Sequence, residues 1–284
     1  MFREIAPLIP ETKNKEYNIM RSLEHLHKIR HFELNKALPY LPEKVRVLEI
    51  GAGMGWQAKQ LADLGFQVEA IEFAGSTFVW PTESQVWPIV DYDGSKIPFP
   101  EKHFDVVFSS NVLEHIPHIE AFQKEIHRVL KADGVAVHIL PTATWRFWTN
   151  VTHYLFVIIR YWRKSHGQPQ GIAPTTKSRQ TRLPLSKRLV KMIIPDRHGE
   201  VGNCLTELYF FSRFRWAKLF RHSGWKIIKC YPARLFYTGY SVLDSRFSIE
   251  SRIRVSKLLG SSCLIWVLKK SDFSKKSDFS SKME

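Results

Sequence analysis

A chain of 284 residues with 44% hydrophobic content is long enough to bury a real core in one large domain, or in one domain carrying a large insertion. Its formal charge of +15 attracts anions but does not choose among nucleic acid, lipid headgroups and phosphorylated metabolites. Cys204, Cys230 and Cys263 are odd in number and widely spaced, which argues against a disulfide framework or a zinc knuckle and for a reducing, cytoplasmic setting.

The first stretch, MFREIAPLIPETKNKEY, lacks the layout of a secretory signal, and the most apolar run, Tyr154 to Ile159, falls far short of the roughly 20 residues that cross a bilayer. Ile19, Leu23, Leu26, Ile29, Phe32 and Leu34 recur near helical spacing, so residues 1–42 read as a leading helical segment stopped by Pro39 and Pro42. His25, His27 and His31 fit its polar side. His27 and His31 have i,i+4 spacing but no evident third ligand, so no metal is expected.

From residue 43 to 142 short β-rich runs alternate with helix-length stretches: VRVLEI, FQVEAIEF, QVWPIV, HFDVVFSS and GVAVHIL, with a helix predicted over about 119–130. That rhythm predicts an α/β domain with a parallel sheet and crossover helices. It breaks over 143–222, which reads as a helical and basic insertion, and resumes in GWKIIKCYP and SSCLIWVLKK, two strands within 223–270 that complete the same sheet. The polar, weakly repeating 271–284 is expected to be disordered.

Gly51, Gly53 and Gly55 follow a strand and open a helix, the arrangement that lets backbone N–H groups approach a ligand. A dinucleotide loop wants its third glycine one place later, where this chain has Trp56. With Glu49 two residues before Gly51, the G-x-G-x-G spacing resembles the first motif of the class I S-adenosylmethionine-dependent methyltransferases. VEAIEF, YDGSKIPFPEKHFDVVFSSNVLEHI and EIHRVLKADGVAVHI resemble that family's later motifs in order across 45–141, most nearly its type 11 group. Asp133 and Gly134 stand where the family more often has two glycines.

The resemblance implies a Rossmann-like, seven-stranded sheet with S-adenosylmethionine as cofactor. Glu49, Gly51, Ala52, Gly53 and Gly55 would form its cradle, with Glu72 and Phe73 at the ribose, Asp93 and Gly94 at the adenine (Asp91 being the nearby alternative) and Asn111 after the fourth strand. The sulfonium supplies the difficult chemistry, so the protein mainly aligns the acceptor, and a base is needed only for a hydroxyl or protonated nitrogen.

Ligands in such folds sit beyond the carboxyl ends of the strands, which singles out Asn111, Glu114, His115, Pro141 and Thr142. RHGEVGNCLTELYFF adds His198, Glu200 and Glu207, so His198, Glu200 and His115 are the candidate catalytic residues. Equally, His115 could close over the cofactor, and the later segment could be a turn and cap around Gly199 and Gly202.

Between Trp145 and His198 eleven Lys or Arg face one acid, Asp196, giving +10 of the +15. WRFWTNVTHYLFVIIRYWRK mixes aromatics, aliphatics and cations as a helix lying in a membrane interface does, while residues 164–188 read as a mobile loop. A membrane surface through 145–164, an ordinary lid helix and an RNA-binding segment all fit that composition. The acceptor expected is a small-molecule, lipid-like or saccharide-linked O, N or C nucleophile. The alternatives are an RNA methyltransferase, although SSNVLEHI lacks the Asn-Pro-Pro-aromatic pattern of enzymes that methylate exocyclic base amines, and an inactive binding module.

Overall fold

A computed structural model describes residues 11–75, 85–165, 194–239 and 247–271. Seven strands form one sheet: β1 (Arg46–Ile50), β2 (Gln67–Phe73), β3 (Val90–Tyr92), β4 (Phe104–Ser110), β5 (Leu130–Pro141), β6 (Trp225–Pro232) and β7 (Cys263–Lys270). Their order is β3-β2-β1-β4-β5-β7-β6; β1 to β5 run parallel, and β7 is antiparallel to both β5 and β6. The order reverses between β1 and β4, so their carboxyl ends open a crevice where ligands bind in doubly wound sheets.

The strands are buried on both faces, which is why β1 and β4 read as near-continuous apolar runs. On one face Leu48, Ile50, Val107 and Ala136 meet Ile119, Phe122, Ile126 and Val129 of α3 (Ile119–Val129) and Trp216, Leu219 and Phe220 of α6 (Arg213–His222). On the other, Val47, Val106, Phe108 and Val137 meet Leu34 and Ala37 of α1 (Glu11–Ala37) and Leu61 of α2 (Trp56–Asp63). Residues one apart along a strand thus enter opposite cores.

Between β5 and β6 lie α4 (Ala143–Ser165), α5 (Glu207–Phe210) and α6; α7 (Ile249–Leu259) precedes β7. Thr142 caps α4 by accepting the Trp145 N–H at 2.9 Å, so its hydroxyl serves the helix start. Two expectations need adjustment. The run QVWPIV contributes only its last residue, Val90, to the short β3, because Pro88 cannot donate to a ladder. β5 begins at Leu130, before the Asp133–Gly134 turn expected there, and the β4–β5 register shifts between Phe104 and Val106 to absorb the extra residues. The expected mobile loop, apart from its first two residues, and all but Ser271 of the polar tail lie outside the described residues. Among the described residues no helix is long and apolar enough to cross a membrane.

Candidate active site

The glycine loop joins β1 to α2. Gly51, Gly53 and Gly55 have φ of 73°, 59° and 81°, the left-handed region that a side chain resists. At Gly51 a Cβ would come within 2.3 Å of Val112 Cγ2, so the loop must be bare there to approach the segment after β4. The expectation that the loop's N–H groups point at a ligand needs correction. Gly51 and Ala52 donate to Ile71 O at 2.8 and 3.1 Å, Gly53 donates to Glu72 Oε2 at 2.7 Å, and Gly55 donates to Ala52 O at 2.9 Å. The loop spends the first three donors tying itself to β2 and the fourth closing its own turn, which fits the absence of a pyrophosphate-type glycine pattern.

Around the loop, Glu49 is buried with Oε2 unpartnered, and burial pushes its carboxyl up to about 8. Glu72 stands at the end of β2, raised by burial against the pull of the Gly53 and Phe73 N–H groups. Phe73 is exposed, and its ring lies 2.9 Å from where a Gly94 Cβ would sit. Asp93, beside it, accepts from the Ser95 and Lys96 N–H groups at 2.8 and 2.9 Å, which lower its pKa. Asp91 pairs in register with Glu72 on β3. Asn111 ends β4 with φ of 57°, rare for a residue with a side chain, held by its N–H to Ile139 O at 2.8 Å.

Beyond Val112, the 3-10 turn Leu113–His115 brings Glu114 and His115 into the crevice. The chain returning from the insertion lies directly on this turn: Glu200 N–H donates to Glu114 O at 2.9 Å, and a Gly199 Cβ would meet the same oxygen at 3.0 Å and the Phe211 ring at 3.1 Å. Glu207 Oε1 fixes the return by accepting the His198 and Gly199 N–H groups, both at 2.7 Å. His198 therefore stacks edge-on to His115 and Trp145, with ring centroids 4.8 and 4.6 Å away. His115, His198 and Glu200, two separate stretches of sequence, converge here.

Their pairing differs from the simplest expectation. Glu207 binds backbone amides and the Arg146 guanidinium, with Nε and Oε2 2.7 Å apart, rather than the His198 ring; it supports the site without touching the imidazole. Glu200 contacts Arg197 at 3.7 Å, and its charge raises His115 against the lowering effect of burial. His198 has an accessible edge but sits in crowded surroundings. Desolvation, with His115, Arg146 and Arg30 nearby, holds its pKa down to about 3, so its imidazole is neutral at physiological pH and a weak base. Glu114 is buried with neither carboxylate oxygen hydrogen-bonded, and burial lifts it to about 8. Its Oε1 lies 3.7 Å from His115 Nε2. The ligand-capable atoms of Glu114, His115 and His198 lie within 4.8 Å of one another, a looser group than the roughly 3.3 Å edge of a tetrahedral zinc site.

Residues 48–138 match the family model described as a methyltransferase domain. The chain is 32% identical over 121 residues to the sterol 4-C-methyltransferase strm-1 of Caenorhabditis elegans, covering 40% of this chain and 36% of that protein. It is 31% identical over 133 residues to the ubiquinone/menaquinone biosynthesis C-methyltransferase UbiE of Neisseria meningitidis, covering 42% and 53%. The chain carries a class I S-adenosylmethionine-dependent methyltransferase domain. The matches span about a third to a half of these relatives' own lengths. The methyltransferase solved in complex with the Trm112 methyltransferase activator of Haloferax volcanii has a similar fold, with a TM-score of 0.50 at 12% identity over 92% of this chain and 96% of that one.

The donor side of this methyltransferase domain fits the cofactor its family uses. It offers a side-chain-free loop, a carboxylate with an edge toward solvent at the end of β2, and an exposed aromatic ring beside Gly94. The acceptor side contains groups that sequence reading missed. Arg30 and Glu33 reach in from α1: Arg30 Nη1 donates to Glu33 Oε2 at 2.7 Å, and Tyr237 Oη donates to Glu33 Oε1 at 2.8 Å. Tyr237 Oη meets Cys263 Sγ at 3.0 Å, and that thiol reaches Asn111 Oδ1 at 3.4 Å. This chain ties the leading helix to the strained Asn111, while His27 of α1 packs on Trp56, with ring centroids 4.2 Å apart. The one available signal was Glu33, an acid between apolar neighbours on the helix.

Proposed function

We propose that the protein transfers a methyl group from S-adenosylmethionine to an O, N or C nucleophile of a small, lipid-like acceptor. The observation that carries this reading is the contact between the two sides of the crevice. Val112, which abuts Gly51 of the donor loop, immediately precedes the turn that presents Glu114 and His115. A methyl donor on the loop and an acceptor against the His115–His198–Trp145 wall would be neighbours.

S-adenosylmethionine supplies an electrophilic sulfonium methyl group, so the protein's part is to hold, orient and exclude water. The loop backbone at Gly51, Ala52 and Gly53, with Gly55 packed beneath on Trp87, would take the methionine end. Glu72 would accept from the ribose hydroxyls, with Phe73, Asp93 and Gly94 beside the adenine. On the acceptor side His115 is the better base: burial lowers it, but the Glu200 charge offsets part of that, whereas His198 gives up a proton too readily to hold one. Trp145 and Phe211, themselves buried, back this wall with apolar packing, which suits a quinone-like or sterol-like ring more than a sugar. The named relatives are a sterol methyltransferase and a C-methyltransferase of ubiquinone/menaquinone biosynthesis, in keeping with that chemistry.

Incubation with methyl-labelled cofactor and separate lipid, glycan and RNA extracts tests the reading, and label is expected in the lipid fraction. Label confined to RNA would overturn the acceptor class. Absence of S-adenosylmethionine binding in a calorimetric titration would leave a binding module in place of an enzyme.

A further inference from the structure

α4 is an amphipathic helix turned inside out. Its inward side is largely polar: Arg146 pairs with Glu207, Thr149 Oγ1 accepts the Gly239 N–H at 2.9 Å, Asn150 Nδ2 donates to Cys204 O at 2.8 Å, and His153 is buried. Its outward side carries Phe147, Val151, Leu155, Ile158 and Tyr161, 37–69% exposed. Spaced at three and four residues, these five fall on one stripe, roughly a third of the helix circumference at 3.6 residues per turn. Burial in the protein's own core does not account for them. A solvated helix would be expected to show the opposite pattern.

We propose that this face of α4 docks on the surface of an anionic lipid bilayer, with the helix lying in the interface plane. Charge decides the occupant. The 23 residues of α4 contain no Asp or Glu, and Arg160, Arg163 and Lys164 fall in its last turns. An aromatic and aliphatic stripe on a helix whose sequence carries cations and no acid matches an acidic headgroup layer over acyl chains. A second copy of the same helix would bring cations with no carboxylate on α4 to pair them. RNA would find Val151, Leu155 and Ile158 where stacking rings are needed. The inference rests on the lipid-like acceptor proposed above. Trp145, buried at the start of α4, lies against His198, so docking would hold the acceptor wall one helix diameter, about 10 Å, from the membrane surface.

The test is co-flotation of the full chain with vesicles of phosphatidylcholine alone and of phosphatidylcholine containing phosphatidylglycerol, at low and high salt. Binding is expected to the anionic vesicles, weakened by salt. The double substitution Leu155→Ser with Ile158→Ser should weaken it about tenfold or more while thermal stability and S-adenosylmethionine binding stay unchanged. Neutralising Arg163 and Lys164 to Gln should lower affinity for anionic vesicles about fivefold per charge, with little change on neutral ones.

Vesicle binding that survives Leu155→Ser with Ile158→Ser would overturn the proposal, as would no binding to anionic vesicles. A concentration-dependent dimer abolished by the same pair, or RNA binding lost with it, would reassign the face and overturn the lipid assignment. Because S-adenosylmethionine titration is run on the same samples, failure of the docking face and failure of the donor site are read separately.

Discussion

α3 and α4 leave the same sheet one after the other, and they bury opposite kinds of surface. α3 turns Ile119, Phe122, Ile126 and Val129 into the core, with Glu120 and Lys124 outside. α4 turns Arg146, Thr149 and His153 inward and leaves Val151, Leu155 and Ile158 outside. Both are amphipathic, so a sequence pattern assigns each a helix, but the pattern does not say which face the protein keeps. α3 is held by apolar burial. α4 is held by the buried Trp145 at its start and a few directed polar contacts, and its apolar stripe remains available to something else.

The contrast predicts its largest effect at the ion pair that anchors α4. Glu207→Gln leaves the Arg146 guanidinium buried without a countercharge, and the loss should be about 3–5 kcal/mol in urea unfolding. Arg146→Met combined with Glu207→Leu should recover only part of it, because the apolar pair costs no ionic desolvation but orphans the His198 and Gly199 N–H groups that Glu207 holds. If Glu207→Gln costs nothing measurable, polar anchoring is the wrong account of α4.

Next come matched aliphatic truncations. Ile126→Ala on α3 should cost about 2–5 kcal/mol, as core deletions do. Ile158→Ala on α4 should stay within about 0.5 kcal/mol, as an exposed site does. Equal costs in parallel unfolding curves would mean that the α4 stripe is packed after all, and the contrast between the helices would fail.

On the donor side, Glu72→Ala removes the carboxylate that ends β2 and also orphans the Gly53 N–H. S-adenosylmethionine affinity should fall about tenfold or more, about 1–3 kcal/mol by titration calorimetry. Unchanged affinity would point to Asp91 or Asp93 as the carboxylate that matters.

The two halves of the molecule also differ in how much of them could be read in advance. The sheet and the donor side were legible because Gly51, Glu72, Asp93 and Asn111 sit at successive strand ends, where local motifs and the doubly wound order put them in one crevice. The acceptor side was not. His115 and His198 meet only because Gly199 is small enough to lie on the Glu114 carbonyl and Glu207 seizes the two neighbouring amides, a tertiary event with no sequence period. Arg30 and Glu33 were hidden for a related reason, since helical spacing identified α1 but not its reach to Tyr237 and Cys263. The composition of 145–164 was legible as aromatic and basic, whereas its inversion depends on which face finds partners.

The last effect is the pH dependence of stability, and its sign follows from buried neutral groups. Glu49 and Glu114 titrate near 8 in the folded protein, well above the ordinary glutamate value. Between that value and 8 the folded state binds more protons than the unfolded chain, so each group makes stability fall as pH rises, by about 1.4 kcal/mol per unit where one proton separates the states. His138, buried against Ser109 Oγ at 2.8 Å, is held down to about 3 by burial. The unfolded chain binds the extra proton there, so stability falls as pH drops from about 6.5 toward 3. Two glutamates outweigh one histidine, so these groups together place the maximum well below neutrality, near the ordinary glutamate value. Glu114→Gln should flatten the alkaline limb of a melting-temperature profile and leave the acid limb unchanged. An unaltered alkaline limb would mean that Glu114 is ionised in the folded protein, which would remove the neutral carboxyl from beside His115 and weaken the case for that side of the crevice as a proton-handling wall.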